Sequence, residues 1–400
     1  MAGALDGIRV IDITTILLGP YGTQLLGDMG ADVIKVEAPP KGDSTRHLGR
    51  NRSPGMGGPF LNMNRNKRSI CLDLKQEPAK QALRRLIETA DVLVHNMRPA
   101  AIARLGFAYE DVAKIKPDIV YCGCYGFSQD GPYADRPAYD DLIQAACGMV
   151  DIFKTTAGQP LFAPTVMADK TTGLMMSQAI AMALLHRERT GEGQFVEVPM
   201  FETLVSFLMV EHIYEHAFDP PLGPLGYARL TTPHRRPHQS SDGYVCVLPY
   251  TDKQWASFFR IAGRPELIGD PRFANHTTRN EHIAEIYAMM GEIIATKTTA
   301  EWERACHEAE IPVSPVLSLQ EVFENEHAQA VGLFERHTHP TEGEVVITRP
   351  PVKMTKSPAS IRRQAPRLGE HGEEVLRELG YDEAALGQLR DSGALQSGGG

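Results

Sequence analysis

The sequence lacks the cysteine patterns that mark a metal site or a disulfide scaffold. Its six cysteines, spread over 400 residues, form no C-x-x-C pair, so neither a zinc centre nor a redox-active dithiol is indicated. Cys122 and Cys124 alternate within an apolar run and are expected to be small buried side chains. We therefore expect no bound metal and a reducing, cytoplasmic environment.

Long apolar runs and long basic runs are also missing. The apolar stretch 174–185 is interrupted by Ser177 and Gln178 and is too short to span a bilayer, and we see no secretion signal. The net charge is −9, and no basic run is long enough to follow the phosphates of a nucleic acid. We expect neither a membrane nor a nucleic acid as a partner. One basic spot, residues 64–68, favours a small anionic ligand; the alternative is an ordinary solvated loop.

The N-terminal half carries the alternating pattern of a parallel α/β sheet. Helical patterns such as 77–89 separate buried apolar runs, and such alternation is typical of parallel strands covered by helices. Further helices are predicted at 139–149, 170–188 and 373–379, and further strands at 194–198 and 244–248. The first predicted strands are 7–13, 33–36, 69–72, 91–95 and 118–124.

The first strand-to-helix turn does not suit a dinucleotide. A pyrophosphate-binding turn needs G-x-G-x-x-G so that the backbone approaches the phosphates closely. In the turn 17–22 the first glycine is missing, and Pro20 removes an N–H donor. An NAD-binding function is therefore excluded.

Asp169 directly precedes the helical pattern 170–188. Aspartate is a preferred helix N-cap, worth about 1 kcal/mol. A helix N-terminus also stabilises a carboxylate and is expected to lower its pKa, and an ionised carboxylate there is a usable nucleophile. A structural cap and a catalytic group are both compatible with this position.

Eight short motifs, in order along nearly the whole chain, provide a resemblance. They are GIRVID (7–12), GADVIKVE (30–37), NKRSI with LDLK (66–75), VHNMRP (94–99), GPY (131–133), YD (139–140), RTGEGQ (189–194) and LGEH (368–371). With them the chain resembles the family III CoA-transferases, the family of formyl-CoA:oxalate and carnitine CoA-transferases.

The resemblance implies an α/β fold and an interlocked homodimer. A large Rossmann-like domain would contain residues 1–200 and 325–400. A linker, 201–224, would lead to a small domain at 225–315. Residues 316–400 would then form a return linker and the C-terminal part of the large domain.

The resemblance also implies roles for individual residues. Asp169 matches the catalytic aspartate, while Tyr139 and Asp140 match residues near the thioester. The adenine end of coenzyme A would be held by Leu72, Asp73, Leu74 and Lys75. Its phosphates and pantetheine would lie along Asn96, Met97, Arg98 and Arg104. Acyl-CoA and a small carboxylate are the implied substrates, with no permanently bound cofactor.

Two alternatives remain beside the transferase. An α-methylacyl-CoA racemase would need a histidine just before Asp140, where this chain has Tyr139, a poor base at neutral pH. A non-catalytic CoA-binding protein would be expected to lose Asp169. Leu17 and Leu18 replace a glutamine and a small residue of the oxalate enzyme, which favours a more apolar substrate than oxalate.

The acids themselves are not named by the sequence. A basic cluster, 234–238, follows a proline-rich loop whose Gly223 and Gly226 are candidate hinges of a lid. Its spacing fits no common metal-ligand set. Arg235 or Arg236 would pair with the far carboxylate of a dicarboxylic substrate such as succinate; the alternative is a solvated basic turn.

Overall fold

The computed structural model describes residues 2–396 of the chain. Within them the strands, in chain order, are β1 Arg9–Ile13, β2 Asp32–Glu37, β3 Lys67–Leu72, β4 Val92–His95, β5 Val120–Tyr125, β6 Gln194–Pro199, β7 His238–Gln239, β8 Tyr244–Val247, β9 Val313–Pro315, β10 Phe334–His339, β11 Gly343–Thr348 and β12 Leu395–Gln396.

The α-helices, in chain order, are α1 Leu18–Asp28, α2 Gly58–Met63, α3 Glu77–Glu88, α4 Pro99–Leu105, α5 Tyr109–Ile115, α6 Asp140–Ala146, α7 Met149–Ala157, α8 Met167–Thr190, α9 Met200–His212, α10 Ala228–Thr231, α11 Asp252–Ile261, α12 His276–Glu281, α13 Ile283–Ile294, α14 Thr299–Glu308, α15 Leu319–Glu324, α16 Glu326–Ala330, α17 Gly372–Glu378 and α18 Glu383–Asp391. Short 3₁₀ turns lie at Ser44–His47, Tyr214–Ala217, Pro265–Gly269 and Pro271–Phe273.

The chain forms two compact units. The first contains Met1–Ala146, Pro164–Val205 and Gln329–Gly400, and the second contains Cys147–Ala163 and Ser206–Ala328. The second unit thus takes in residues 147–163 and 206–224, which the sequence prediction placed in the large domain and in a linker. Helix α7 lies in the first of these stretches, and the second half of α9 lies in the second.

A seven-stranded sheet forms the centre of the first unit, in the order β12-β3-β2-β1-β4-β5-β6. Neighbours among β1–β6 pair in parallel, and β12 pairs antiparallel with β3. The predicted parallel sheet is therefore confirmed. The chain moves outward from β1 to one side through β2 and β3, and to the other through β4, β5 and β6. In such sheets ligands bind beyond the carboxyl ends of the strands where the order reverses, which here lies between β1 and β4.

Helices α1 and α8 cross at two glycines in this unit. A Cβ atom on Gly22 would lie 2.1 Å from the Met176 side chain and 2.7 Å from the Gly173 carbonyl oxygen, and a Cβ on Gly173 would lie 2.7 Å from the Leu18 carbonyl oxygen. Both positions require the absence of a side chain, because real contacts at these distances do not occur. The crossing seats the beginning of α8 against the loop that follows β1.

The second unit has a hydrophobic core of its own. Helices α11, α13 and α14 bury aromatic and aliphatic side chains against strand β8, with Trp302, Phe258 and Ile286 fully buried. Strands β7, β8 and β9 form a small antiparallel sheet. In the described part of the whole chain, no helix combines the length and apolar character needed to cross a membrane.

Sequence patterns missed some local features. The helix predicted at 139–149 is two helices, α6 and α7, because Gly148 between them has φ +96°, a left-handed conformation that ends a helix. The β10–β11 hairpin and the C-terminal strand β12 were not predicted. Strand β12 is only two residues long, too short to show an alternating pattern.

Candidate active site

A cavity of about 260 Å³ opens at the carboxyl ends of the central strands in the first unit. The loop after β1 borders it with residues 15–18, and the turn after β4 borders it with residues 96–99. Asp169, in the first turn of α8, completes the wall. The remaining lining residues are Cys124, Tyr125, Gly126, Ala134, Arg136, Pro137, Ala138, Tyr139 and Met200.

A second cavity, of about 530 Å³, lies on the other side of the same turn. Thr15 and Met97 border both cavities, so the two adjoin at these residues. The second cavity is mainly apolar, with Lys75 and Arg104 as its cations. Its other lining residues are Ile13, Val36, Glu37, Ala38, Gly42, Asp43, Leu72, Asp73, Leu74, Ala101 and Leu105.

The structure groups the predicted site residues around these two cavities. Around the first lie Asn96, Met97, Arg98, Tyr139 and Asp169. Around the second lie Leu72, Asp73, Leu74, Lys75, Met97 and Arg104. Asp140 is the exception: it lines neither cavity and is buried behind Asp169.

Asp169 is not the N-cap of its helix, contrary to the sequence prediction. Helix α8 begins at Met167, and its N-cap is Val166, which makes no side-chain capping bond. Asp169 is therefore the third helical residue. Its backbone N–H donates to Oδ1 of Asp140 at 3.0 Å. A neighbouring carboxylate thus satisfies a first-turn N–H that a cap would otherwise take.

The sequence prediction that the pKa of Asp169 is lowered was also wrong, because the pKa is raised. Burial and, to a lesser extent, the Asp140 carboxylate together raise the pKa of the Asp169 carboxyl from the ordinary 3.8 to about 7. These effects outweigh the helix N-terminus, because a buried carboxylate loses its hydration and a like charge beside it opposes ionisation. An acid titrating near neutral pH in a cavity is typical of functional sites.

Gln144 is a site residue that sequence reasoning missed. This fully buried side chain donates from Nε2 to Oδ2 of Asp140 at 2.5 Å and to the Thr165 carbonyl oxygen at 3.3 Å. It therefore links helix α6 to the segment just before α8. The only signal in the sequence is its spacing, four residues after Asp140, which places both on one face of a helix.

A family comparison settles what kind of protein carries this site. The model of CoA-transferase family III matches residues 5–372. The chain belongs to CoA-transferase family III.

Curated relatives of this CoA-transferase support the same assignment. It is 34% identical to the mouse (Mus musculus) protein named succinyl-CoA:glutarate CoA-transferase, over 98% of this chain and 90% of that protein. It is also 34% identical to a formyl-CoA:oxalate CoA-transferase of Afipia carboxidovorans, over 99% of this chain and 98% of that protein.

A solved structure shows a similar fold. A CAIB/BAIF family protein from Brucella suis superposes on the CoA-transferase with a TM-score of 0.80 at 30% identity, covering 95% of this chain and 100% of that one. The mixed α/β fold with its large, mostly parallel sheet is therefore shared with this CAIB/BAIF family protein.

Asn96 fixes the loop of the CoA-transferase that follows β1 and whose Thr15 borders both cavities. Its Oδ1 accepts the Thr15 N–H at 3.0 Å and its Nδ2 donates to the Thr15 carbonyl oxygen at 2.8 Å. Ile16 has φ 72°, an unfavourable value for a β-branched residue, and its N–H donates to Asp43. These bonds hold the strained loop in place. Both polar atoms of the Asn96 side chain are used in the bonds to Thr15.

A buried ionic network lies directly beneath this loop. Asp12 pairs with Lys67, and Lys35 pairs with Asp43, each at 3.0 Å. Lys35 also donates to the Thr14 carbonyl oxygen at 2.8 Å. Burial opposes the charge of Asp12, but the ammonium groups of Lys67 and Lys35 hold the pKa of Asp12 well below its usual range. Burial lowers the pKa of Lys67 to about 8.

The basic spot at 64–68 is structural, and its predicted anionic ligand was wrong. Arg65 pairs with Asp28 at 2.7 Å, and Arg68 pairs with Asp32 at 2.6 Å. With Lys67 also paired, every cation of the spot is neutralised by an internal carboxylate. Burial explains this, because a cation withdrawn from water requires a partner of opposite charge.

His95 supports the turn after β4 from inside the protein. It is fully buried, with its ring against the edges of Tyr121 and Tyr125. Its Nδ1 accepts the Met97 N–H at 3.2 Å. Burial lowers the pKa of His95 to about 4, so the ring stays neutral and Nδ1 remains an acceptor. This residue lies inside the VHNMRP motif, but sequence reasoning assigned it no role.

Proposed function

We propose that this CoA-transferase moves coenzyme A between carboxylic acids through a covalent intermediate on Asp169. The Asp169 carboxylate attacks the acyl-CoA carbonyl. The CoA thiolate departs, and a mixed anhydride forms between Asp169 and the donor acid. The thiolate then attacks the aspartyl carbonyl, which frees the donor acid and leaves an aspartyl-CoA thioester. The acceptor acid reverses both steps, so bonds of similar energy are exchanged throughout.

The observation that carries this proposal is the half-buried Asp169 carboxylate on the cavity wall, with its pKa raised to about 7. A carboxylate of raised basicity is a stronger nucleophile than an exposed one, and at neutral pH a large fraction stays ionised. Partial burial also limits water, which would hydrolyse an anhydride. The Asp140 bond to its backbone holds the group at the cavity edge.

Coenzyme A is proposed to extend from this cavity into the second one. Lys75, Arg98 and Arg104 are exposed, and none of them forms an ion pair with any residue in the described range 2–396. Unpaired cations suit phosphate oxygens as charge-assisted donors. The mainly apolar second cavity, which residues 72–75 border, suits the adenine.

The acceptor is proposed to be longer than oxalate. Ile16, Leu17 and Leu18 border the Asp169 cavity and offer apolar contacts for a methylene chain. A relative at 34% identity is named succinyl-CoA:glutarate CoA-transferase, which makes succinyl-CoA and glutarate the first pair to assay. The relative named for formyl-CoA and oxalate makes oxalate the control acid.

A homodimer is part of the proposal. Helix α8 carries large apolar side chains exposed on the described chain, among them Leu174, Met182 and Leu185. Several large apolar side chains exposed on one helix are typical of a contact with another protein. We propose that a second copy of the chain covers it.

Hydroxylamine trapping tests the covalent step. The protein is incubated with succinyl-CoA, quenched with hydroxylamine, digested with trypsin and read by mass spectrometry. The tryptic peptide 155–170 has Asp169 as its single acidic side chain, so a hydroxamate on this peptide identifies the residue without fragmentation. Asp169→Asn should give no label, and Asp141→Asn, an exposed neighbour on α6, should label like the wild type. A hydroxamate on any other peptide would refute the mechanism.

A further inference from the structure

Arg136 lies on the wall of the cavity that contains Asp169. Arg98 and Arg136 are the cations that border this cavity. Arg98 precedes α4, whose Ala101 and Arg104 border the second cavity, so it stands on the coenzyme A side. Arg136 instead lies three residues before Tyr139, in the segment that leads into α6 and Asp140.

The Arg136 side chain is held in place without an acidic partner. Its guanidinium lies 3.5 Å from the centre of the Tyr133 ring, a stacking geometry that orients arginine. Tyr133 packs on Phe127, and Phe127 packs on Phe201, with ring centres 5.5 Å apart in both pairs. Throughout residues 2–396 no carboxylate forms an ion pair with Arg136. An oriented cation beside a cavity is thus left with its donors free for a ligand.

The chemistry of the reaction explains what such a cation would bind. In a dicarboxylic acid one carboxyl reacts at Asp169 while the other stays ionised. That second carboxylate would enter a site that already contains Asp169 and Asp140, and that must exclude water from the anhydride. An unpaired carboxylate there is strongly unfavourable, whereas a guanidinium offers it two parallel hydrogen bonds.

We infer that Arg136 binds the far carboxylate of a dicarboxylic substrate and makes this CoA-transferase prefer dicarboxylates over monocarboxylates of equal length. The inference rests on the proposed function. It assigns substrate specificity to the 126–139 loop and not to the basic cluster 234–238.

The test compares two acceptors of equal chain length, glutarate and pentanoate, with succinyl-CoA as the common donor. In a ping-pong reaction kcat/KM for the acceptor is independent of the donor, so any loss on the donor side cancels. In Arg136→Met the ratio of kcat/KM for glutarate to that for pentanoate should fall roughly 10- to 100-fold, the scale of a lost charge-assisted hydrogen bond. Arg136→Lys should recover part of the ratio.

Arg189→Met is the matched control, because Arg189 is exposed in the last turn of α8 and borders neither cavity; its ratio should equal that of the wild type. An equal loss for both acids in Arg136→Met, or an unchanged ratio, would overturn the inference. The inference would also be overturned if the glutarate-to-pentanoate ratio of kcat/KM fell in an Arg235→Met, Arg236→Met double variant but not in Arg136→Met. A wild type that uses monocarboxylates but not dicarboxylates refutes this inference alone, whereas absence of the Asp169 hydroxamate refutes the proposed function.

Discussion

Replacing Asp169 by asparagine should abolish transfer and at the same time stabilise the fold. The amide keeps the shape of the side chain but cannot ionise. The pKa rise from 3.8 to about 7 corresponds to about 4 kcal/mol of destabilisation for a fully buried carboxylate. Because Asp169 is only half-buried, water screens the charge and about 1–2 kcal/mol is the realistic gain in the free energy of unfolding.

The sign of this effect depends on pH. Near pH 4 and below, the folded wild type carries a protonated Asp169, so it and the variant should be equally stable. As the pH rises toward 7, the unfolded wild type releases this proton while the folded state retains it, and wild-type stability falls. The gain of Asp169→Asn should therefore grow from pH 4 and level off above pH 7.

Thermal unfolding measured from pH 4.5 to 8.5 would check this expectation. At pH 8 the Tm of Asp169→Asn should exceed that of the wild type by about 1–3 °C, with CoA transfer reduced by several orders of magnitude. CoA binding should persist, because Lys75 and Arg104 are unchanged. A variant less stable than the wild type at pH 8, or a Tm difference independent of pH, would refute the electrostatic reasoning.

Other expected outcomes follow from the same site. The wild-type kcat/KM should fall tenfold per pH unit below an apparent pKa of about 7; Asp140→Asn should move this midpoint to lower pH, and an unmoved midpoint would show that Asp140 does not influence Asp169. Gly173→Ala should lower kcat by at least about tenfold and the Tm by several degrees, because its Cβ collides with the Leu18 carbonyl; a fully active, equally stable variant would contradict the tight helix crossing. Sedimentation of the dilute protein should show a dimer that separates only on unfolding, and a folded monomer would contradict it. The sequence prediction that Arg235 or Arg236 binds the far carboxylate is the alternative to the inference for Arg136: it expects that replacing both arginines by methionine raises KM for a dicarboxylate by roughly 10- to 100-fold, and equal loss for a monocarboxylate of the same length would count against it.

Local sequence patterns predicted the sheet well, because each strand and helix is encoded by nearby residues. The run 92–95 is apolar over its whole length up to His95, as a strand buried on both faces must be. The helix at 77–88 shows its apolar stripe in the spacing of Ala79, Leu83 and Leu86, all buried in the structure. These features depend on neighbours a few residues apart, so the sequence displays them directly.

Helix boundaries and short strands were less accessible. In the sequence, Gly148 fits the helical pattern 139–149, and only its left-handed conformation in the structure shows that the helix is interrupted there. Strand β12 exists because residues 395–396 reach β3 from the far end of the chain. Neither feature has a periodic signal, and both arise from packing that local propensity does not describe.

The sequence by itself determined which residues are present at the site: an aspartate at a helix start, the motifs around it, and cations at matching positions. Only the tertiary structure decided what those groups do. Asp140 reaches Asp169 across 29 residues of chain, and burial together with that approach sets the pKa of Asp169. Arg65 and Asp28 form an ion pair across 37 residues of chain. The basic spot 64–68 therefore stabilises the fold and does not leave Arg65 free for a ligand. Charge interactions act through space and depend on exclusion of water, so their strength follows from the folded arrangement of the chain.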